Sequence, residues 1–373
     1  MLGALGAVLA EDVISPMAVP LDANSAMDGY AIRAVDAGAI SLPVSQRIAA
    51  GHTGSALEPG TAARIFTGAA VPLGADTVVM QEDCELQDDG SVRILCEVRC
   101  GQHVRPRGQD IEEGQTVLSR GRRLRAQDLG LLASVGYHAV QVYRPLRIAV
   151  LSTGDELVEP GSADLRSGQL YNSNRYTLAG LIGSLGMEFV DGGIVPDQAE
   201  LTGQALLRAA EQADVVVTSG GVSVGEEDHV KTQVERHGQF DLWKLAIKPG
   251  KPLAFGRIGA TPFIGLPGNP TSVYVTFNLV ARPFLLKMQG QADSALPVLT
   301  ARAEFSIDKP GLRQDYQRVR LERAEGALVA QRFGNQSSGV LSSVSYSDAL
   351  AVIRPGQTLA RGDEVEIILL DLL

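Results

Sequence analysis

At 373 residues the chain is longer than one hydrophobic core usually serves, so two to four domains are expected. A hydrophobic content of 45% with 20% charged residues is that of a folded globular protein and excludes a disordered chain. With 33 Lys+Arg against 43 Asp+Glu, the formal charge of -10 argues against a nucleic acid as partner, while a small-anion pocket needs only a few local cations.

The opening segment, MLGALGAVLAEDV, has a short apolar run but no basic lead, and it meets Glu11 and Asp12 at once, unlike a signal peptide. No later run approaches the roughly 20 apolar residues of a membrane-crossing helix, so a soluble protein is expected. From about residue 23 to 108, short alternating runs such as ARIFTGAAV and DTVVMQE are broken by Gly and Pro, which predicts a mostly β module. Inside it, the Asp28–Gly29 pair of NSAMDGYAIR reads as a hairpin turn. Thr67 in IFTGAAVP, and Arg105, Arg107 and Asp110 in RPRGQDIEEG, stand in polar loops that serve either as connections or as site loops. Cys84, Cys96 and Cys100 have neither CxxC spacing nor a histidine pair nearby, which predicts no zinc site and no disulfide framework and suits a reducing cytoplasm.

Between residues 146 and 289, apolar runs alternate with helix-period segments, the pattern of a parallel sheet with crossover helices. LRIAVLS reads as a buried strand. SNRYTLAGLIGSLG follows as a helix, with Leu178, Leu181, Ile182 and Leu185 at helical spacing and Gly186 as its terminator. MEFVDGGIV is the second strand. Asp197 with Glu200 resembles a capping box at the start of QAELTGQALLRAAEQ. DVVVTS is the third strand, followed by GGVSVGEED and a helix around HVKTQVERHG. TPFIGLPG leads as a further strand into the helix NPTSVYVTFNLVARPFLLKMQ.

Ligands of open parallel sheets bind beyond the carboxyl ends of the strands, so STGDEL, TSGGVSVGEED and GLPGNPTS are expected to share one site. In TSGGVSVG, Gly220 and Gly221 between a strand and a helix would expose backbone N–H groups to a phosphate or pterin, with Thr218, Ser219 and Ser223 adding hydroxyls. A ligand-free tight turn is the alternative. Asp155 and Glu156, with Glu227 and Asp228, would surround a divalent cation such as Mg²⁺, or would form a solvated acidic loop. Lys248 and Lys251 flank a Pro-Gly break in an apolar stretch, and two ammonium groups held close favour an anion between them, unless they merely snorkel at a turn. Pro267 and Pro270 bracket Gly268 and Asn269 in a stiff turn into a helix. After residue 290, VLTARAEFSI, QRVRLERAE, ALVAQRFG and DEVEIILLDLL read as strands of a small β-barrel or sandwich, which also carries Arg318 in YQRV and the hydroxyl-rich loop NQSSGVLSS.

In order, NSAMDGYA, IFTGAAVPLGADTVVMQED, RPRGQDIEEG, LSTGDEL, SGGVSVGEED, WKLAIKPGKP and GLPGNPTS span almost the whole chain. Together they resemble the MoeA family, the molybdopterin molybdenumtransferases that include the gephyrin E-domain. STGDEL and SGGVSVG alone also fit adenylyltransferase and CinA-like domains; NSAMDGYA and the flanking β-domains point to the transferase branch. The resemblance implies a multidomain α/β plus β fold. Residues 1–22 and 109–145 would form an elongated linking and dimerisation domain, and 23–108 an inserted mostly β module. Residues 146–289 would be a three-layer α/β molybdopterin-binding domain and 290–373 a small β-barrel domain.

It further implies a cytoplasmic homodimer with its active site at the subunit interface, which inserts molybdenum from molybdate into adenylylated molybdopterin, with Mg²⁺ as cofactor and release of AMP. Molybdopterin adenylyltransferase and molybdopterin synthase would be its pathway partners. Carried over by motif, Asp28, Thr67, Asp110, Glu156, Asp197 and Asp228 are the catalytic positions, with Glu156 and Asp228 as metal ligands. Ser219, Gly220, Gly221, Ser223, Pro267, Gly268 and Pro270 would line the pterin and phosphate, and Lys248, Lys251, Ser272, Arg318 and Ser338 would hold molybdate. The competing expectations are a binding or scaffold paralogue without turnover and an adenylyltransferase or CinA-like enzyme.

Overall fold

The computed structural model describes residues 1–222, 229–324 and 326–370. They form two compact units: Met1–Leu5, Leu9–Arg120 and Leu124–Gln141 make the first, and Gly6–Val8, Gly121–Arg123 and Val142–Leu373 the second.

In the first unit a six-stranded sheet comprises β1 (Gly29–Ile32), β2 (Leu42–Ile48), β3 (Ala62–Ile65), β4 (Thr77–Met80), β5 (Cys84–Leu86) and β6 (Ser91–Ile94), in the order β4-β1-β3-β2-β6-β5. Successive residues of a strand face opposite sides. Ala31, Ala63, Ile65 and Val78 therefore enter one core, and Tyr30, Ile32, Ala62 and Val79 the other. Asp28–Gly29 does not make the expected hairpin turn. Gly29 begins β1 paired with both Ile65 and Met80, and a Cβ there would collide with the Val79 carbonyl, so glycine is demanded by close packing and not by a turn. A further core of Leu9, Val13, Leu118, Leu124 and Leu132 lies beside α1 (Ala126–Ser134).

The second unit is built on β7 (Arg147–Thr153), β8 (Leu157–Val158), β9 (Leu170–Tyr171), α2 (Ser173–Ser184), β10 (Glu188–Val195), α3 (Ala199–Gln212), β11 (Val215–Ser219), α4 (His229–His237), β12 (Gly238–Lys244), β13 (Ile247–Lys248), β14 (Pro252–Ile258) and β15 (Thr261–Leu266). These are followed by α5 (Pro270–Thr276), a π-helical segment Phe277–Ala281 and α6 (Arg282–Met288). The main sheet runs β10-β7-β11-β15-β14-β12. Its first four strands are parallel, as expected; β14 and β12 extend it antiparallel, a hairpin where the sequence reading saw only a Pro-Gly break in an apolar stretch. Ile148 and Val150 pack against Leu178, Ile182 and Phe277 on one face, and Ala149 and Leu151 against Leu206, Val230 and Val234 on the other. Each fully buried aliphatic side chain contributes about 1.5–3 kcal/mol, so this alternation fixes three layers. Gly186, at φ 75°, ends α2 as its sequence position suggested.

The chain then enters β16 (Val298–Ala303), β17 (Gln314–Ala324), β18 (Ala327–Arg332), α7 (Ser342–Tyr346), β19 (Ala349–Ile353) and β20 (Glu364–Leu369). The order β17-β18-β16-β20-β19, with β19 pairing back onto β17, closes a five-stranded barrel. Its interior is filled largely by small side chains, Ala301, Ala303, Ala330, Ala349 and Ala351, as so narrow a barrel requires. The short β13 leaves the α/β sheet and pairs in parallel with β17, setting Ile247 opposite Gln314 and Lys248 opposite Asp315. Val275, Tyr316, Leu350 and Ile368 form a shared core beside this seam. Among the described residues, no helix is long and apolar enough to cross a membrane.

Candidate functional site

The strand order changes direction between β7 and β11, and the loops leaving these two strands open one side of a cavity of about 830 Å³ lined entirely by the second unit. That is ample for a nucleotide-sized ligand. After β7 the backbone turns at Gly154, φ 139°, where a Cβ would collide with the Glu156 carboxylate. The glycine lets that carboxylate fold back over the strand end, at the cavity wall. After β11, Gly220 and Gly221 both adopt positive φ, 95° and 66°, which side-chain-bearing residues rarely adopt. Gly220 N–H donates to the Leu266 carbonyl at 3.0 Å, tying this loop to the end of β15. The next turn, Pro267–Pro270, is held from α2, because Asn174 Nδ2 donates to the Gly268 carbonyl at 2.8 Å. STGDEL, TSGG and GLPGNP therefore converge, as their strand-end positions required.

Asp197 also lines the cavity, but it does not cap α3. Gln198 holds the N-cap position without a side-chain bond, and Asp197 N–H is itself bound by Asp155 Oδ1 at 3.0 Å, so the loop after β10 leans on the loop after β7. Beneath these loops runs a hydrogen-bond chain: Ser219 Oγ donates to Ser152 Oγ at 3.4 Å, and Ser152 Oγ to Asn172 Oδ1 at 3.3 Å. Asn172 Oδ1 also caps α2 by accepting Arg175 N–H. Thr153 Oγ1, Asn172 Nδ2 and Asn174 Oδ1, all on cavity-lining residues, are buried without a protein partner. Sequence reading missed these three residues; the asparagine opening the helix after LY was the available signal, as an N-cap.

Basic residues line the cavity as well. Lys248 precedes a cis peptide to Pro249, and Gly250 at φ 102° completes the turn that carries Lys251 into the same wall. Lys248 Nζ forms an ion pair with Asp315 at 3.0 Å, whereas Lys251 is exposed and has no ion pair among the described residues. The barrel contributes Gln336, Ser337 and Ser338, a loop fastened to α5 by Thr271 N–H donating to the Ser338 carbonyl at 3.1 Å and Thr271 Oγ1 to the Val340 carbonyl at 3.1 Å. Ser272 from α5 lines the cavity as well.

Arg318 was expected in contact with ligand and is not at the cavity surface. It is 0% exposed, with Nε donating to Ser343 Oγ at 3.2 Å and Nη1 to the Tyr316 carbonyl at 3.0 Å, and its backbone N–H and carbonyl clasp the Gln336 amide. Burial lowers its pKa to about 10. The arginine that does line the cavity is Arg313, which the sequence reading did not single out.

Asp28, Thr67 and Asp110 belong to the first unit. Asp28 accepts Thr67 N–H and Thr67 Oγ1, both at 2.7 Å, and these bonds, aided by Arg64, hold its carboxyl below the ordinary range. Arg64 in turn stacks on Phe66 at 4.6 Å. Asp110 is exposed, its N–H bonded to the Val19 carbonyl. Ser223 and Asp228 lie outside the described residues. Cys84 and Cys96 are half-buried and Cys100 exposed, all free thiols, and burial pushes the Cys84 thiol up to about 12.

Three family models match: the MoeA N-terminal region (domain I and II) over residues 1–136, a probable molybdopterin binding domain over 149–287, and the MoeA C-terminal region (domain IV) over 300–370. The chain is similar to the molybdopterin molybdenumtransferase of Haemophilus influenzae, 41% identical over 96% of this chain and 90% of that one. It also resembles gephyrin of Dictyostelium discoideum, 32% identical over 98% of this chain and 58% of the relative. Among solved structures, a molybdopterin biosynthesis MoeA protein of Pyrococcus superposes with a TM-score of 0.81 at 34% identity, covering 98% and 92% of the two chains.

Proposed function

The chain belongs to the MoeA family, and from that premise we propose how its cavity serves molybdenum cofactor biosynthesis: adenylylated molybdopterin and molybdate meet between the acidic loops and the basic wall, AMP leaves, and molybdenum passes to the dithiolene. The protein is a transferase of that pathway, as the relatives are. The observation that carries the reading is the polarity of one cavity, with Glu156 and Asp197 at one side and Lys248, Lys251 and Arg313 among its other lining residues.

The acidic side fits Mg²⁺. Its donors are carboxylates, with no thiol or imidazole in the cavity lining, and two carboxylates leave coordination positions for a substrate phosphate and water. Glu156 would hold the ion, with Asp228 added by motif and Asp197 adjoining; when bound, Mg²⁺ neutralises the phosphate that is cleaved. The Gly220–Gly221 backbone presents N–H groups to pterin or phosphate, and Pro267, Gly268 and Pro270 give that wall its rigidity. Lys251, Ser272 and Ser338 donate to the molybdate oxygens, and Lys248 joins them as Asp315 gives way. Arg318 works from behind, fixing the Gln336–Ser338 loop and adding its positive field. We further propose a cytoplasmic homodimer in which Asp28, Thr67 and Asp110 come from the partner subunit, with molybdopterin adenylyltransferase and molybdopterin synthase as pathway neighbours.

The purified chain is to be incubated with adenylylated molybdopterin, molybdate and Mg²⁺. AMP release accompanied by metal insertion supports the reading. Tight binding without AMP release would place the chain among non-catalytic scaffolds, and attachment of AMP from ATP would make it an adenylyltransferase.

A further inference from the structure

We propose that Tyr171 is the stacking platform of this cavity, the side chain on which a fused nitrogen heterocycle of the substrate lies. The proposal rests on the reading of the cavity given above and adds a specificity-determining contact to it.

Of the described residues that line the cavity, Tyr171 alone is aromatic. It ends β9 and is 41% exposed, next to Leu170 at 49%. Large apolar side chains left open at a cavity otherwise rich in hydroxyls, carboxylates and cations mark a place for something flat and apolar. Among the described residues no ring or guanidinium stacks on Tyr171. Its neighbour Tyr176 makes the contrast, because Arg175 lies over that ring at 5.8 Å and its hydroxyl is bound to Glu159. One tyrosine is occupied by the fold, and the other is left open.

The open ring is also held still. Tyr171 Oη donates to the Ala163 carbonyl at 3.3 Å, so the side chain is tethered at its far end as well as at its backbone. The two-stranded flap of β8 and β9 is tied in turn: Leu170 N–H donates to the Glu156 carbonyl at 3.0 Å and Asn172 N–H to the Val158 carbonyl at 2.9 Å. Glu159, which follows β8, pairs with Arg175 of α2 at 2.6 Å and anchors the segment that joins the strands. A ring ordered before the ligand arrives loses little freedom on binding, which favours stacking. The Leu170 bond also sets the platform's strand against Glu156, the residue assigned to the metal and the cleaved phosphate. The pterin and the adenine of the substrate are both fused nitrogen heterocycles a few bonds from that phosphate, and both suit a tyrosine face.

The test is isothermal titration calorimetry of the full chain in Mg²⁺ with AMP, molybdopterin and inorganic pyrophosphate as separate ligands, for wild type, Tyr171→Ala and Tyr171→Phe, alongside melting midpoints. Tyr171→Ala is expected to weaken the ring-bearing ligand that stacks there about tenfold or more. Tyr171→Phe, which keeps the ring and loses the Ala163 bond, should stay within about threefold. Pyrophosphate, which has no ring, should bind both variants within about twofold of wild type, a split that a general disturbance of the loops would not give. Loss for AMP assigns the platform to the adenine and loss for molybdopterin assigns it to the pterin; either supports the proposal. Unchanged affinity for both in folded Tyr171→Ala overturns it, and so does an equal loss for pyrophosphate, which would make Tyr171 a structural residue. If Tyr171→Ala fails to fold, Tyr171→Leu decides, and wild-type affinity for both ligands in it overturns the proposal equally. Wild-type chain that binds neither AMP nor molybdopterin refutes the cavity reading itself, which is a different failure.

Discussion

The acidic and basic walls of the cavity are made by different parts of the fold, and their charges are compensated in opposite ways. Glu156 and Asp197 stand on loops after parallel strands, exposed and without an ion pair among the described residues. Lys248 stands on β13 and Arg318 on the barrel strand β17, and the chain supplies their partners, Asp315 for one and carbonyl and hydroxyl oxygens for the other. An acidic wall without internal counterions calls for an external cation. A basic wall with an internal counterion calls for an anion able to compete. Under the proposed function the first would act as a metal site inert to folding, and the second as a network in which binding and stability are coupled.

The sharpest way to break this contrast is to neutralise the acidic wall. Glu156→Gln is expected to lower kcat by about 10²- to 10³-fold, roughly 3–4 kcal/mol of barrier, with an unchanged melting midpoint, and chelation of Mg²⁺ should do the same to the wild type. A melting midpoint that falls along with activity would show that Glu156 has a structural partner and that the two walls are alike. The glycine loop after β11 is a separate case: Gly221→Ala forces a Cβ against Val230 at φ 66°. A loss of about 2–3 kcal/mol in denaturant unfolding is expected there. Gly193→Ala, at φ 73° with nothing within 4 Å, should lose only about 1–2 kcal/mol. Equal losses would mean that backbone strain alone decides.

On the basic wall, the prediction separates the two lysines. Lys251→Ala should raise the KM for molybdate about tenfold at constant stability, since a lone charge–anion contact is worth about 1.4 kcal/mol. Lys248→Ala should weaken molybdate binding and also destabilise by about 1–3 kcal/mol, because it strands the Asp315 carboxylate. Adding Asp315→Asn should restore most of both losses, and a double-mutant cycle measures the coupling. Strict additivity would remove the internal counterion from the account.

The same division governs what could be read from sequence. The parallel strands announced themselves as apolar runs such as Ile148–Leu151 and Val215–Val217, and loops that follow such strands share an edge by topology, so Glu156, Gly220 and Pro267 were placed together correctly. The basic wall depends on a pairing 67 residues distant, Lys248 with Asp315, which no local periodicity encodes. The hairpin of β12 and β14 was hidden because Pro249 and Gly250 read as a break, while the cis bond and the positive φ make them a turn. Arg318 showed its charge but not its burial, so it was assigned to the ligand and not to the loop behind it. At Asp28–Gly29 and Asp197, local signals for a turn and a cap were overridden by tertiary contacts, the Val79 carbonyl in one case and Asp155 in the other.

The smallest expected effect concerns Asp28, the carboxylate that the proposed dimer would add from the first unit of the partner. Its folded pKa is lowered, chiefly by the Thr67 backbone N–H and then by the Thr67 hydroxyl. A carboxyl whose folded pKa lies below its unfolded value contributes stability that is fully present above the unfolded pKa and is lost as pH falls through the folded one. The melting-midpoint difference between wild type and Asp28→Asn should therefore be constant at neutral pH, shrink as pH drops below the ordinary carboxylate range, and vanish in stronger acid. Asp28 would stay ionised wherever the enzyme works, and so would face a partner's acidic wall only with a cation between them. If the difference persists undiminished into acid, the charge of Asp28 is not what the Thr67 bonds stabilise, and the loss in Asp28→Asn does not come from ionisation.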